Sequence, residues 1–144
     1  MKFLSTRGKD CALSAAEAIV KGLAFDGGLY VPETFPDLSG EIKIMLDASY
    51  SERALKVIGS FLTEYDRKSL LNACESAYSR FDESDPAPIV RLDEDFYVAE
   101  LFHGPTLAFK DVALTLLPYL LRAGANIAGV KEEILILVAT SGVT

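Results

Sequence analysis

The sequence contains few of the residues that build metal and disulfide sites. Among its 144 residues are two cysteines, one histidine and no tryptophan. Cys11 and Cys74 are too far apart to predict a disulfide framework, a zinc site or a redox motif. Cys74 lies among apolar residues at helical spacing, so we expect a buried free thiol. A single histidine, His103, has no partners with which to ligate a metal. We therefore expect no metal site and a reducing compartment.

Long hydrophobic runs are also absent. The longest apolar stretches are residues 134–139 and 112–121, and the second is interrupted by Thr115 and Pro118. A membrane helix needs roughly 20 apolar residues, and the N-terminus lacks the apolar core of a signal peptide. We therefore expect a soluble, cytoplasmic protein.

Positive charge is scarce. The chain has 14 basic and 21 acidic residues, for a net charge of -7. A field of this sign repels phosphate backbones and anionic lipid, so neither nucleic acid nor a membrane surface is an expected partner. Half of the residues are hydrophobic, which excludes a disordered chain and predicts a packed core. Net charge does not exclude a small anionic ligand, because such a ligand binds to a local site.

The first part of the chain carries the patterns of helices. Segments 14–17 and 49–52 have the Ser-x-x-Glu spacing of a capping box, in which a hydroxyl and a carboxylate bind the free amides of a helix start. We expect the first helix to end at Gly27-Gly28. Apolar residues between positions 70 and 81 recur at helical intervals and predict a third helix, and Thr63 is its predicted cap. Each of these apolar stripes is interpreted as core.

Residues 29–32 look extended, because Pro32 disfavours a helical residue before it. The Asp-, Ser- and Pro-rich segment 82–88 has the composition of a linker. Beyond it the sequence predicts two strands, at 89–92 and 96–101, around the acidic turn 93–95. A helix is predicted from 109 to 123, weakened at Pro118 and ended by Gly124. The last predicted element is a strand at 134–139 that is apolar on both faces.

A helix followed by a doubly buried strand and a small hydroxyl-rich loop is typical of an open α/β sheet. In such sheets the ligand lies at the carboxyl ends of the strands. We therefore predict an α/β fold in two parts. Residues 1–82 would form a mostly helical N-terminal domain. Residues 83–144 would form the start of an open, mainly parallel α/β cofactor domain, truncated at Thr144.

Lys110 is the strongest candidate for chemistry. It follows a Gly-Pro-Thr loop at the start of a strongly apolar helix, and desolvation there favours the neutral amine that Schiff-base chemistry requires. Asp111 would oppose this effect only if the two side chains met, and adjacent helical residues point about 100 degrees apart. The alternative is an ordinary solvated lysine.

Other candidates have simpler structural interpretations. The loop 140–144 could hold a carboxylate or phosphate through hydroxyls and amides, but such residues also fill ordinary turns. His103 could be a general base, although structural hydrogen bonding is the favoured interpretation. The amides of 26–28 could bind an anion, or could simply end a helix. The carboxylates of 93–95 and Glu100 are interpreted as a solvated turn and a strand end, with an acid/base pair as the alternative.

Three segments together resemble the threonine synthase family, which consists of pyridoxal phosphate (PLP) enzymes of fold type II. They are Ser-Thr-Arg-Gly at 5–8, Gly-Leu-Ala-Phe-Asp-Gly-Gly-Leu-Tyr-Val-Pro-Glu at 22–33, and Glu-Leu-Phe-His-Gly-Pro-Thr-Leu-Ala-Phe-Lys-Asp at 100–111. The resemblance implies that Lys110 forms the Schiff base with PLP and moves protons. It also implies conversion of O-phospho-L-homoserine and water to L-threonine and phosphate.

The loop after residue 139 is similar to the family's Thr-Ser-Gly-Asp-Thr-Gly turn. The resemblance therefore implies that Thr140, Ser141, Gly142 and Thr144 bind the substrate, and that Ser141 and Thr144 also contact the cofactor. One position departs from the pattern, because Val143 replaces the acidic residue and cannot hydrogen-bond through its side chain.

Family chains are about three times as long as this one. We therefore expect a fragment that is inactive alone and belongs to a monomeric full-length enzyme, with the binding residues for the cofactor phosphate and ring nitrogen after Thr144. Two alternatives stay open. One is an inactive homologue, which Val143 favours, or a related PLP lyase. The other is an interaction domain without a cofactor, in which Lys110 is structural.

Overall fold

The computed structural model describes residues 1–138. Helices dominate, and the strands are short. In chain order the elements are β1 (Phe3–Ser5), α1 (Ala15–Lys21), β2 (Tyr30–Pro32), a 3-10 turn (Ser39–Glu41), α2 (Ile42–Leu46), α3 (Tyr50–Phe61), α4 (Arg67–Tyr78), β3 (Ile89–Asp93), β4 (Phe96–Ala99), α5 (Asp111–Leu114) and α6 (Leu117–Ile127).

The two predicted capping boxes are confirmed. At the start of α1, the Glu17 amide donates to Ser14 Oγ at 3.3 Å and the Ser14 amide donates to Glu17 Oε2 at 2.8 Å. Ser49 and Glu52 make the same reciprocal pair at the start of α3. These four hydrogen bonds satisfy amides that a helix start leaves without intrahelical partners, so both helices begin where the sequence indicates.

Two predicted helix boundaries in the N-terminal part are wrong. Asp66, rather than Thr63, caps α4, and its Oδ2 accepts from the Ser69 amide at 2.8 Å. Thr63 Oγ1 instead accepts from the N-terminal amine at 2.9 Å. Helix α1 ends at Gly22 and not at Gly27-Gly28, because Gly22 adopts a positive φ of 72°, which stops the helix at its first glycine.

The core lies between the long helices. One cluster joins α1 to α3 and α4, and a second lies between α4 and the start of α6. The buried members of the first are Ala15, Ala16, Leu55, Leu62, Tyr65 and Leu70, and those of the second are Ala73, Cys74, Ala77, Tyr78 and Leu116. Cys74 is a buried free thiol, as predicted. Burial of this apolar area is the main source of the stability of the helical part.

Helix α6 packs closely on α1 at Gly124. This glycine is buried inside the helix, so the prediction that it ends the helix is wrong. A Cβ at this position would lie 2.5 Å from Tyr65 Oη and 3.4 Å from the carbonyl oxygen of Ala16. Tyr65 Oη in turn donates to the carbonyl oxygen of Leu120 at 3.1 Å. The absence of a side chain therefore allows α6 to approach α1.

Both sheets in the described residues are antiparallel pairs. Strands β1 and β2 align Ser5 with Tyr30, and β3 and β4 align Ile89 with Ala99. The predicted pair of strands around the acidic turn and the extended segment before Pro32 are thus confirmed, although β4 ends at Ala99 and not at Leu101.

Two predictions for the second part of the chain differ from the structure. The helix expected from 109 to 123 is divided into α5 and α6, and Pro118 occupies the first turn of α6, where its missing amide removes no helical hydrogen bond. Residues 134–138 form no strand, and Leu135 and Leu137 are 80% and 86% exposed. A strand needs a neighbour to accept its backbone hydrogen bonds, and no described strand lies beside this segment. Ala139 lies outside the described residues.

Candidate active site

Lys110 is the residue immediately before α5. It ends the loop of residues 100–110, which leaves the hairpin after β4, and its side chain is half-buried. Two groups of polar contacts hold this loop, one on each side of Gly104. We call them the inner clamp, formed by Thr106 and Asp111, and the outer clamp, formed by Asp82, Glu100 and His103.

The inner clamp closes the turn that leads into Lys110. Asp111 is only 5% exposed, and its Oδ2 accepts from the Thr106 amide at 2.7 Å. Its Oδ1 accepts from Thr106 Oγ1, also at 2.7 Å. A carboxylate that accepts two such short hydrogen bonds is held firmly. The side chain of Asp111 is therefore directed to Thr106, and the turn before Lys110 is fixed from the first residue of α5.

Gly104 allows the inner clamp to close. It is buried, and a Cβ at this position would overlap the side chain of Asp111. Leu107 completes the turn, since its amide donates to the carbonyl oxygen of Gly104 at 3.0 Å. Leu107 also has a φ of 59°, a left-handed conformation that is rare outside glycine. The loop is thus tightly packed at Gly104 and strained at Leu107, which is typical of loops that serve a function.

The outer clamp is centred on His103. Its Nδ1 lies 2.8 Å from Asp82 Oδ1, and its Nε2 lies 2.8 Å from Glu100 Oε2. The Asp82 amide also donates to the carbonyl oxygen of His103 at 3.1 Å. The Glu100 and Asp82 carboxylates raise the pKa of His103 above its ordinary value. The hydrogen-bonding interpretation of His103 is confirmed, because both ring nitrogens are occupied by neighbouring carboxylates.

The turn at 26–28 is neither an anion cradle nor a helix end. The Gly28 amide donates to Asp26 Oδ1 at 2.9 Å, and the Gly27 amide donates to the carbonyl oxygen of Ala24. Ser5 Oγ donates to the same carboxylate at 2.7 Å, and this bond helps to hold the pKa of Asp26 below its usual range. Because these amides already have partners, the turn serves to attach β1 to the loop before β2.

The remaining candidates are the carboxylates of 93–95 and Glu100, which the structure describes, and the loop 140–144, which it does not. The carboxylates of 93–95 are exposed, as predicted, whereas Glu100 belongs to the outer clamp. Thr140, Ser141, Gly142 and Thr144, together with Val143, lie outside the described residues.

Across residues 1–138, no group of three or more His, Cys, Asp or Glu side chains could hold a metal ion. No helix in that range has the length and apolar content needed to cross a bilayer.

Sequence patterns do not predict the clamp residues Asp82, Thr106 and Asp111. Asp82 lies in a segment with the composition of a linker, and Asp111 enters the sequence argument only as a charge beside Lys110. The capping rules do not predict the inner clamp, because the carboxylate of Asp111, the first residue of α5, accepts from Thr106, five residues earlier, and not from an amide of the helix. No pattern predicts Asp82 either, since it is 21 residues from His103 in sequence.

Comparison with known proteins assigns the family. The family model described as "Threonine synthase N terminus" matches residues 2–78. The chain belongs to the threonine synthase family. It is 42% identical to the threonine synthase of Pseudomonas aeruginosa, over all of this chain and 31% of that protein. It is also 40% identical to human threonine synthase-like 1, over 99% of this chain and 20% of that protein.

A solved structure supports the same assignment. The PLP-bound threonine synthase from Brucella melitensis superposes with a TM-score of 0.84 and 39% identity, over 90% of this chain and 28% of that one. The chain therefore spans less than a third of the length of these threonine synthases. The family model ends at residue 78, before the Lys110 loop, whereas the similarity to the P. aeruginosa protein extends over the loop as well.

Proposed function

We propose that this chain is the N-terminal part of a PLP-dependent threonine synthase, a carbon–oxygen lyase acting on phosphates. The protein at its natural length would convert O-phospho-L-homoserine and water to L-threonine and phosphate in the cytoplasm, as a monomer. The observation that carries this proposal is the position of Lys110, a half-buried primary amine at the end of a doubly clamped loop, in a chain of this family. The 144 residues alone would be inactive.

The residues around Lys110 fit a covalently held aldehyde cofactor. A primary amine is the group that reacts with an aldehyde, and here it extends from a turn that Gly104 and Asp111 hold in one conformation. A preorganised attachment point reduces the entropy lost when a reactive group is positioned. When bound, PLP would supply the electron sink for the reaction.

The roles of the other residues follow from the same proposal. Lys110 would hold the cofactor through Nζ and, once released by the substrate amine, would carry protons at that atom. Thr140, Ser141, Gly142 and Thr144 would bind the substrate carboxylate through amides and hydroxyls, with Ser141 and Thr144 also against the cofactor. Residues 83–144 would begin an open, mainly parallel α/β domain. Groups that hold the cofactor phosphate and ring nitrogen would follow Thr144.

The test is a turnover assay on the protein at its natural length. Phosphate release from O-phospho-L-homoserine is measured with added PLP for the wild type, Lys110→Ala and Lys131→Ala. Lys131 is an exposed lysine on the same chain and serves as the matched control. We expect Lys110→Ala to lose turnover by several orders of magnitude, because the amine that positions the cofactor and moves protons is gone, while Lys131→Ala stays near the wild type. Near-normal turnover by Lys110→Ala would refute the proposal.

A second candidate is an inactive or related PLP-binding homologue. Val143, which cannot make the polar contact of an acidic residue, favours an inactive homologue, and the 40% identity to a protein named threonine synthase-like favours a related one. The same assay, combined with borohydride reduction and peptide mapping of PLP-labelled lysines, separates the candidates. Covalent PLP on Lys110 without phosphate release would support the homologue, whereas a cofactor-free interaction domain would show neither.

A further inference from the structure

The geometry of the outer clamp requires a particular protonation state of His103. Asp82 Oδ1 and Glu100 Oε2 each lie 2.8 Å from a different ring nitrogen of His103. An ionised carboxylate only accepts hydrogen bonds, and a neutral imidazole carries a single N–H. Both contacts can therefore be hydrogen bonds at once only when the ring is the doubly protonated imidazolium. The charged groups that act on the ring are these two carboxylates, one after α4 and one after β4.

The clamp joins two parts of the structure at the base of the Lys110 loop. Asp82 follows the end of α4, and Glu100 follows β4. The His103 side chain is only 12% exposed, although Asp82 itself is 69% exposed. Since the Asp82 amide also binds the carbonyl oxygen of His103, backbone and side chain both attach the loop to the end of the helical part.

A continuous series of contacts leads from His103 to Lys110. Gly104 is bonded to His103 and lies directly against the Asp111 side chain. Asp111 is fixed by Thr106 and is bonded to Lys110. Movement of His103 would therefore displace Gly104, and the buried Asp111 could not keep its position beside it. Close packing transmits such a displacement because it leaves no space to absorb it.

We propose that His103 is a positioning residue for Lys110, and that its imidazolium form holds the loop while its neutral form releases one of the two carboxylates. This inference rests on the proposed function for the importance of Lys110, but the contacts that carry it do not involve cofactor or substrate. Because the carboxylates raise the pKa of His103 above 6.5, the clamp is complete below that pH and is lost as the pH rises through the value in the folded protein.

The first readout is the proton affinity of the ring. In an NMR titration of the protein at its natural length, the imidazole signals of His103 are identified by their absence from the spectrum of His103→Gln. We expect a pKa above 6.5 in the wild type and a lower one in Asp82→Asn. Asp95→Asn, which removes an equivalent charge from the exposed hairpin turn, should leave the value near that of the wild type. A wild-type pKa at or below 6.5 would overturn the imidazolium clamp.

The second readout is the accessibility of the Lys110 amine. The full chain is treated with sulfo-N-hydroxysuccinimide acetate at a series of pH values, and acetylation of Lys110 relative to exposed Lys131 is measured by peptide mass spectrometry. In the wild type we expect this ratio to increase several-fold in a step at the His103 pKa. In His103→Gln the ratio should be high throughout, without the step, because an amide presents an acceptor oxygen to the second carboxylate.

Glu100→Gln gives the sharpest distinction between positioning and a simple structural role. Its amide can donate to Nε2 of a neutral imidazole while Nδ1–H donates to Asp82, so the clamp no longer needs the second proton. We expect a low ratio at all pH values in this variant, that is, a loop that stays closed. Identical pH profiles for wild type, His103→Gln and Glu100→Gln would overturn the proposal. If His103→Gln fails to fold by circular dichroism, the wild type and Glu100→Gln still decide the question.

These results do not depend on catalysis. If Lys110→Ala retained turnover, the proposed function would fail while the acetylation profiles still reported on the clamp. If the profiles lacked a step at the His103 pKa while Lys110→Ala was inactive, the proposed function would stand and the positioning role would fail.

Discussion

The helical part and the Lys110 loop are stabilised by different kinds of interaction. Buried apolar side chains hold α1, α3, α4 and α6 together. The loop instead depends on two carboxylate clamps and one glycine contact, and several of its apolar residues, such as Phe102, Leu107 and Phe109, are exposed. The apolar contacts are numerous and do not depend on direction, whereas the clamps consist of a few hydrogen bonds that require particular distances and angles. The difference indicates that the helical part provides stability and the loop provides precise placement of one amine.

The largest effect should come from the helical part. Leu70 is 3% exposed in the first core cluster, so Leu70→Ala leaves a cavity and should lower the free energy of unfolding by about 2–5 kcal/mol. Leu46→Ala is the matched control, since Leu46 is 74% exposed on α2 and its truncation should change stability by less than about 0.5 kcal/mol. Urea unfolding followed by circular dichroism measures both. Equal losses for the two variants would contradict the assignment of the core.

A smaller effect is expected in the loop. Gly104→Ala forces a methyl group against the Asp111 side chain and should destabilise the protein by about 1–3 kcal/mol. Gly40→Ala is the control, because Gly40 has open space where its Cβ would lie, and urea unfolding of the two variants compares them. Amide hydrogen exchange should also show faster exchange at Thr106, whose amide binds Asp111, in Gly104→Ala alone. Unchanged stability and exchange would mean that the loop adapts and that Gly104 does not fix it.

Much of the helical part could be predicted from the sequence because its signals are local. The capping boxes at Ser14 and Ser49 and the apolar stripe of α4 are patterns within a few residues, and the structure contains them. Errors arose where packing overrides a local rule. Gly124 has the pattern of a helix end, but it lies inside α6 at a position where a side chain would collide with Tyr65. The strand expected at 134–139 has strand composition, but its described residues 134–138 have no neighbouring strand in the described part of the chain.

Within the candidate site, Lys110 could be predicted from the sequence, but the residues that hold its loop could not. Lys110 could be singled out from its loop and from the family resemblance. The outer clamp joins positions 21 residues apart, which share no periodic pattern, so only the fold brings Asp82 to His103. The roles of Thr140, Ser141, Gly142 and Thr144 stay predictions, because these residues lie outside the described structure.

The most direct test of the central claim is to identify the lysine that PLP modifies. The protein at its natural length is incubated with PLP, reduced with borohydride and digested, and the labelled peptides are mapped. We expect stoichiometric label on Lys110, with only traces on exposed lysines such as Lys131. Stoichiometric label on another lysine, or label spread evenly over the exposed lysines, would contradict it.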